Sequence, residues 1–566
     1  MQPSPSSPAA AVTPEPASSA APSSAPTAPT VTPSPGGPVR PADLVHGSFS
    51  DAPPWLVDPD TMAWRRPLRA VRSVAQREVP ELIAPRRWPG TRVVRVTREI
   101  GGALGTWAVR ERRSGDPARS RAGLSRRLRE AAEHLGPTYI KLGQIISSGQ
   151  GIFPAELVDE FKKCRDRVTP EPWPVVRVVL EEELRGPIEG TFASFDREPL
   201  AAASIAQVHR ATLLDGTEVV VKVQRPTVGR LVHEDLRVMA WLAPLLVGRI
   251  PITALANPPA LVEVFAHTIN EELDFRLEAE NMLDVARSFA ELNQRGYVIP
   301  RPHPTLVTRR MLVMERLSGY VFDDVAGIRD AGIDTHEIIR TGMIGFLEGA
   351  LIHGIFHGDL HGGNLFVQPD GRTALLDFGI TGRLGEQRRL AFLRLLISGT
   401  MNDTNGQLAA MRDLGALPHD VDLGAVAKDL GLDRPPLDPT TLTADELVEE
   451  LQRVTKALIG YGAKIPKELL LFVKNLVFLD GAIATLAPDL DLFAEIQQIA
   501  LYFATTHGER IAQQVGMDPS QYQIDLAGVK GSFGVDASVE SFTHRELMER
   551  RELITKRLSS RARRGR

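Results

Sequence analysis

The stretch HGDLHGGNLFVQPDGRTALLDFG, residues 357–379, decides how this chain is read. It sets Asp359 five residues before Asn364, turns at Asp370 and Gly371, and brings Asp377 ahead of Phe378 and Gly379 on a second short strand. Phosphoryl transfer from ATP requires that set of groups: one carboxylate for the accepting hydroxyl, and an Asn and an Asp to hold magnesium against the phosphates. Hard oxygen donors of this kind suit Mg2+. His357 and His361 invite a zinc reading, but zinc accounts for neither the Asn nor the downstream Asp-Phe-Gly. His357 is instead expected to prop the loop from below.

Upstream, the pattern changes from helix to strand. Residues 120–186 read as mostly helical, with apolar positions three and four apart and a break at Gly136-Pro137. From Phe192 short alternating strands follow: TFASFD, ASIAQVHRATL and TEVVVKVQ, the last two joined by Asp215-Gly216 as a hairpin. Alternation in EVVVKVQ puts Val219, Val221 and Val223 on one face and Val220 with Lys222 on the other. A lysine so placed can reach into a cleft and touch phosphates.

Helix is expected over about 227–287, interrupted near 251–259, and strand-like TLVTRRMLVMERL closes this lobe. The acid that pairs with Lys222 is expected from NEELDFRLEAEN, which offers Glu271, Glu272, Asp274, Glu278 and Glu280. Asp274 and Glu278 share a helical face, but spacing does not choose among these acids. From Ile338 the chain reads as mainly helical apart from LFVQ and ALLDF. A small mixed lobe before a helical one is the layout of a kinase. The expected fold is therefore α+β, protein-kinase-like and two-lobed, with an added N-terminal helical extension.

Composition sets the outer limits. The chain has 566 residues, 24% charged and 43% hydrophobic, as expected of an ordinary globular protein. A net charge of -4 gives no case for nucleic-acid binding. Cys164 is the single cysteine, which excludes an internal disulfide framework and suits a cytoplasmic location. Residues 1–41 are Pro/Ala/Ser-rich and too poor in bulky apolar side chains to fold alone, so they are expected to be disordered.

Beyond that tail the expected divisions are 42–119, basic linker and helices; 120–190, helical extension; 191–318, small lobe with inserted helices; 319–510, helical large lobe; and 511–566, a basic helical tail. No transmembrane helix is expected, because the apolar run after Ile465 carries Lys467, Glu468, Lys474 and Asp480. Arg-rich stretches near both ends leave peripheral contact at the inner face of a membrane open, against a plain solvated helical face.

With these residues laid out, the chain resembles the ABC1/UbiB (AarF/ADCK) family of atypical kinases. The resemblance rests on KLGQ (141–144), AAASIAQVH (201–209), VVVKVQRP (219–226), ELD with the later Glu278, HGDLHGGN (357–364) and LLDFG (375–379), covering about residues 120–385. It implies that the KxGQ extension folds over a nucleotide cleft. It also implies that Lys141 pairs with Glu272, that Gln144 sits near the nucleotide, and that Glu278 pairs with Lys222.

ATP and Mg2+ are the implied cofactors. Asp359 and Lys222 are the expected catalytic residues, and Asn364 and Asp377 the metal ligands. Ala201, Ala202, Ala203, Ser204, Met314 and Glu315 complete the expected nucleotide contacts. Alanine cannot copy the close backbone approach of a glycine-rich phosphate loop, so the resemblance disfavours ordinary phosphorylation of proteins. It points instead to an ATPase or phosphotransferase in isoprenoid-lipid or quinone-related metabolism, with a lipid or isoprenoid small molecule as the expected partner. A small-molecule kinase of the aminoglycoside or choline type also uses HGDLHxxN, but gives no reason for KLGQ or the alanines. A non-catalytic nucleotide-binding scaffold is the remaining alternative.

Overall fold

In the structure, a computed structural model, residues 54–564 are described apart from 56, 85–88, 113–116, 148–153, 165–168, 247–257, 295, 402, 433–456, 458–459, 464–465, 517–524, 533–534 and 537. The segment 1–41 and most of the break expected near 251–259 therefore lie outside the described residues.

Five helices come first: α1 (Leu68–Leu82), α2 (Arg92–Arg110), α3 (Pro117–Leu135), α4 (Pro137–Ser147) and α5 (Ala155–Phe161). Gly136, at φ +106°, takes the left-handed turn between α3 and α4 that residues with a side chain rarely adopt. Val79, Val93, Val96, Leu135, Tyr139 and Phe161 share a core with two helices of the next lobe, α7 (Val228–Leu246) and α8 (Pro258–Glu272). Arg92 locks this layer, with Nε 2.7 Å from fully buried Asp235 and a second nitrogen 2.6 Å from the Leu135 carbonyl. Arg65, Arg121, Arg127 and Arg129 are likewise held by acids within the protein.

The small lobe is a sheet built from β1 (Phe192–Phe195), β2 (Ala201–Ala202), β3 (Ala206–Leu213), β4 (Glu218–Gln224), β6 (Pro302–Val307) and β7 (Met311–Glu315). Its order is β1-β3-β4-β7-β6, with β2 antiparallel to β3. Period-2 patterning holds in β4. Val219, Val221 and Val223 are buried against Val176, Val179 and Leu180 of α6 (Trp173–Leu184), while Val220 packs on the opposite core. Lys222 stands opposite Val208 on β3 and Leu312 on β7, on the Val220 face.

Behind the sheet lies α9 (Phe275–Glu291), and here the helical reading needs correction. Asp274 does not share a helical face with Glu278. Its carboxylate accepts from the Arg276 amide and caps α9, so the chain breaks between α8 and α9.

The large lobe holds two small sheets, β5 (Tyr297–Val298)-β11 (Thr373–Leu375)-β10 (Leu365–Val367)-β8 (Tyr320–Val321), and β9 (Ile355–His357) with β12 (Thr381–Arg383). Asp377 lies two residues past the end of β11, in the loop to β12, and not on the strand as the sequence suggested. Around these pack α10 (Val325–Asp330), α11 (Thr335–Glu348), α12 (Glu386–Thr400), α13 (Thr404–Asp413) and α14 (Leu423–Asp429), followed by α15 (Lys467–Leu486), α16 (Leu492–Val515), α17 (Leu526–Ser532) and α18 (His544–Arg564). Phe346, Phe356, Phe392 and Phe472 form the aromatic centre of this core. By length and composition α15 can cross a bilayer, contrary to the expectation that its charges bar it. Its charges have partners in the protein: Lys474 meets Asp359, and Asp480 meets His544 and Arg551.

Candidate active site

Between the lobes, three ammonium groups meet four carboxylates. Lys222 Nζ lies 2.7 Å from Glu278 Oε1 and 3.1 Å from Asp377 Oδ2, so one residue of β4 joins α9 to the loop after β11. Burial opposes the Lys222 charge, but Asp377 and then Glu278 outweigh it and hold the ammonium above the ordinary lysine range. Burial raises Glu278, Lys222 pulls it down, and the Asp377 charge leaves it net raised. The Asp377 side chain is 42% exposed. Desolvation works to raise its carboxyl, and Lys222 followed by Lys141 drives it well below the usual range. The Gly379 amide fixes Asp377 Oδ1 at 2.9 Å.

Lys141 comes from α4. Its Nζ is 3.1 Å from Glu272 at the end of α8 and 3.9 Å from Asp359, so the extension reaches groups of both lobes. Burial disfavours this ammonium, yet Glu272 and then Asp359 hold it raised. Glu272 is itself raised by burial, with Lys141 opposing, and its Oε1 is buried without a hydrogen-bond partner. Gln144 is half-buried, one turn further along α4.

The catalytic loop is pinned on several sides. His357 Nδ1 accepts from the Asp359 amide at 3.1 Å, so its Nε2–H donates to the Asp377 carbonyl. The buried imidazole thus ties the two motif loops together, and burial lowers its pKa. Asn364 Nδ2 donates to the Asp359 carbonyl at 3.3 Å, a bond that does not use the amide oxygen. For Asp359, burial works to raise the carboxyl, but Lys474 and then Lys141 hold it well below the ordinary range.

The alanine-rich stretch is a two-residue strand and a tight turn, not an open loop. Ala203 N bonds the Ala206 carbonyl at 2.8 Å, and Arg225 Nε holds the Ala203 carbonyl at 3.1 Å. Ser204 is buried. Met314 and Glu315 end β7, where Glu315 accepts from the Arg301 amide at 3.2 Å and both side chains are buried.

The structure thus brings together Lys141, Lys222, Glu272, Glu278, Asp359 and Asp377. Sequence reasoning missed Lys474 and Asn475 of α15, which grip the catalytic loop. The signal was there: a Lys-Asn pair inside LLLFVKNLVF. It also missed Asn281, whose Nδ2 holds the Phe378 carbonyl at 2.9 Å.

The family model described as ABC1 atypical kinase-like domain matches residues 163–411. An uncharacterized protein of Mycobacterium tuberculosis is 38% identical over 375 residues, covering 65% of this chain and 76% of its own. A chloroplastic protein of Arabidopsis thaliana, described as an uncharacterized aarF domain-containing protein kinase, is 32% identical and covers 73% of this chain and 82% of its own. The probable protein kinase UbiB of Aliivibrio fischeri is 31% identical, covering 66% and 69%. The chain belongs to the ABC1/UbiB family of atypical kinase-like enzymes.

Proposed function

We propose that this protein binds ATP with Mg2+ between its lobes and transfers the γ-phosphoryl group to water or to a small, lipid-like acceptor. The observation that carries the reading is Lys222, bonded at once to Glu278 and to Asp377, with Asp359 held in the adjoining loop. In this reading Lys222 holds the phosphates. Asp359, being anionic, accepts a hydrogen bond from the attacking oxygen and orients it. Asn364 and Asp377 offer the hard oxygens that fit magnesium, which when bound neutralises phosphate charge. Positioning and preorganised charge would supply most of the rate gain.

The Ala203–Ala206 turn pinned by Arg225, and α4 with Lys141 beside Asp359, support a small acceptor over an extended peptide. Isoprenoid-lipid or quinone-related metabolism is the setting the family resemblance supports, with the protein in the cytoplasm or at a membrane surface. Purified protein should hydrolyse ATP only with Mg2+, and Asp377→Asn and Asp359→Asn should each lower turnover by about 10²-fold or more. Equal rates in wild type and both variants, with contaminating ATPases excluded, would sink the reading. Comparing lipid extracts from cells carrying wild-type or Asp377→Asn protein would identify the acceptor.

A further inference from the structure

Helix α15 presents two consecutive polar side chains to the catalytic loop, and the roles assigned above use neither. Lys474 Nζ donates to Asp359 Oδ1, and the two side chains are only 15% and 18% exposed. Asn475 is completely buried; its Nδ2 donates to the His357 carbonyl, and its Oδ1 accepts from the Leu360 amide at 3.1 Å. One turn of helix therefore fixes the Asp359 carboxylate together with the backbone on either side of it. Of the other two ammonium groups, Lys222 is directed to Glu278 and Asp377, while Lys141 sits 3.1 Å from Glu272 and 3.9 Å from the second Asp359 oxygen, Oδ2.

We propose that Lys474 is a positioning residue for phosphoryl transfer, holding Oδ1 of Asp359 so that Oδ2, which has only the longer 3.9 Å approach of Lys141, faces the acceptor. The inference rests on the reading of the cleft as an ATP-dependent phosphotransferase. In that reaction the acceptor oxygen bonds to the γ-phosphorus as the bond from that phosphorus to the β–γ bridging oxygen breaks. ADP leaves with the electron pair, and the acceptor's proton passes by way of the Asp359 hydrogen bond to solvent. A carboxylate gripped at Oδ1 presents a single oxygen at a fixed place. One that turns freely does not, and misplacement of about 1 Å costs on the order of 10²-fold in rate.

The test compares full-length wild type, K474M, K474R, D359N and K474M/D359N in ATP turnover and in titration with a fluorescent ATP analogue. K474M should lose about 10²-fold in kcat while KM for ATP and analogue affinity stay within roughly threefold. K474R should recover most of that loss. In the D359N background, K474M should cost less than about threefold more, because the carboxylate it acts through is already gone.

Three results would overturn the inference while leaving the phosphotransferase reading intact. One is a K474M kcat within threefold of wild type. Another is a further large loss in the double variant, which would put the ammonium on the phosphates themselves. The third is a joint loss of kcat and nucleotide affinity without rescue by K474R, as a purely structural lysine would give. A wild type that binds the analogue and turns over no ATP overturns the phosphotransferase reading itself, and this inference with it.

Discussion

Gly382 sits opposite Phe356 where β12 pairs with β9. A Cβ at this position would run into the Phe356 ring. That ring cannot retreat, because it stands edge-on to Phe346 and Phe472 in a core that leaves it 2% exposed. The two strands also carry the site: β9 ends two residues before Asp359, and β12 begins four residues after Asp377. Overpacking a filled core costs about 1–3 kcal/mol. Gly382→Ala should therefore destabilise the protein by about 1–3 kcal/mol, seen as a lower urea midpoint at unchanged slope. A midpoint indistinguishable from wild type would show that the ring moves aside.

At the scale of elements, α15 has to be told apart from a membrane-spanning helix, which its length and composition resemble. Asn475 discriminates. Replacing it by Leu makes the helix more apolar, which would favour insertion into a bilayer. In the folded protein the same change strips the His357 carbonyl and the Leu360 amide of their partner in a buried place. Unmet buried groups cost about 1–3 kcal/mol each. Asn475→Leu should therefore destabilise the protein by roughly 2–4 kcal/mol in chemical unfolding; an unchanged or raised stability would remove α15 from the core.

The same helix shows where sequence reading stops. The faces of β4 are legible because strand alternation has a strict period of two, and Lys222 falls where that period puts it. Asp274 misleads because a side-chain bond to the Arg276 amide competes with helix continuation, which spacing does not reveal. Lys474 reads as a charge interrupting an apolar run. Its meaning lies in a contact with a residue 115 positions away, and no local pattern encodes that. The motif loops are readable as chemistry, but the grip that α15 and His357 keep on them is tertiary.

For the molecule as a whole, Lys141 is one group through which the N-terminal helices meet both lobes. It joins Glu272 of the small lobe at 3.1 Å and Asp359 of the large lobe at 3.9 Å. Removing the ammonium leaves Glu272 buried, already short of a partner at Oε1, with its carboxyl raised further by burial. Breaking a buried pair from one side costs about 3–5 kcal/mol when the remaining charge must stay.

The sign with pH follows from linkage. Lys141 is charged in folded and unfolded chains alike below the ordinary lysine range, so its own titration contributes nothing between pH 5 and 8. Glu272 in the variant has a folded pKa above the unfolded carboxyl value, so the folded state binds the extra proton and stability falls as pH rises from the unfolded value through the raised one. The penalty of Lys141→Met should then be about 3 kcal/mol near pH 8 and smaller near pH 5.5, the side on which protonation of a raised carboxyl relieves the buried charge. Urea unfolding of both proteins at the two pH values measures this. Equal penalties at both would mean that Glu272 finds another partner, and that Lys141 does not hold the lobes together through it.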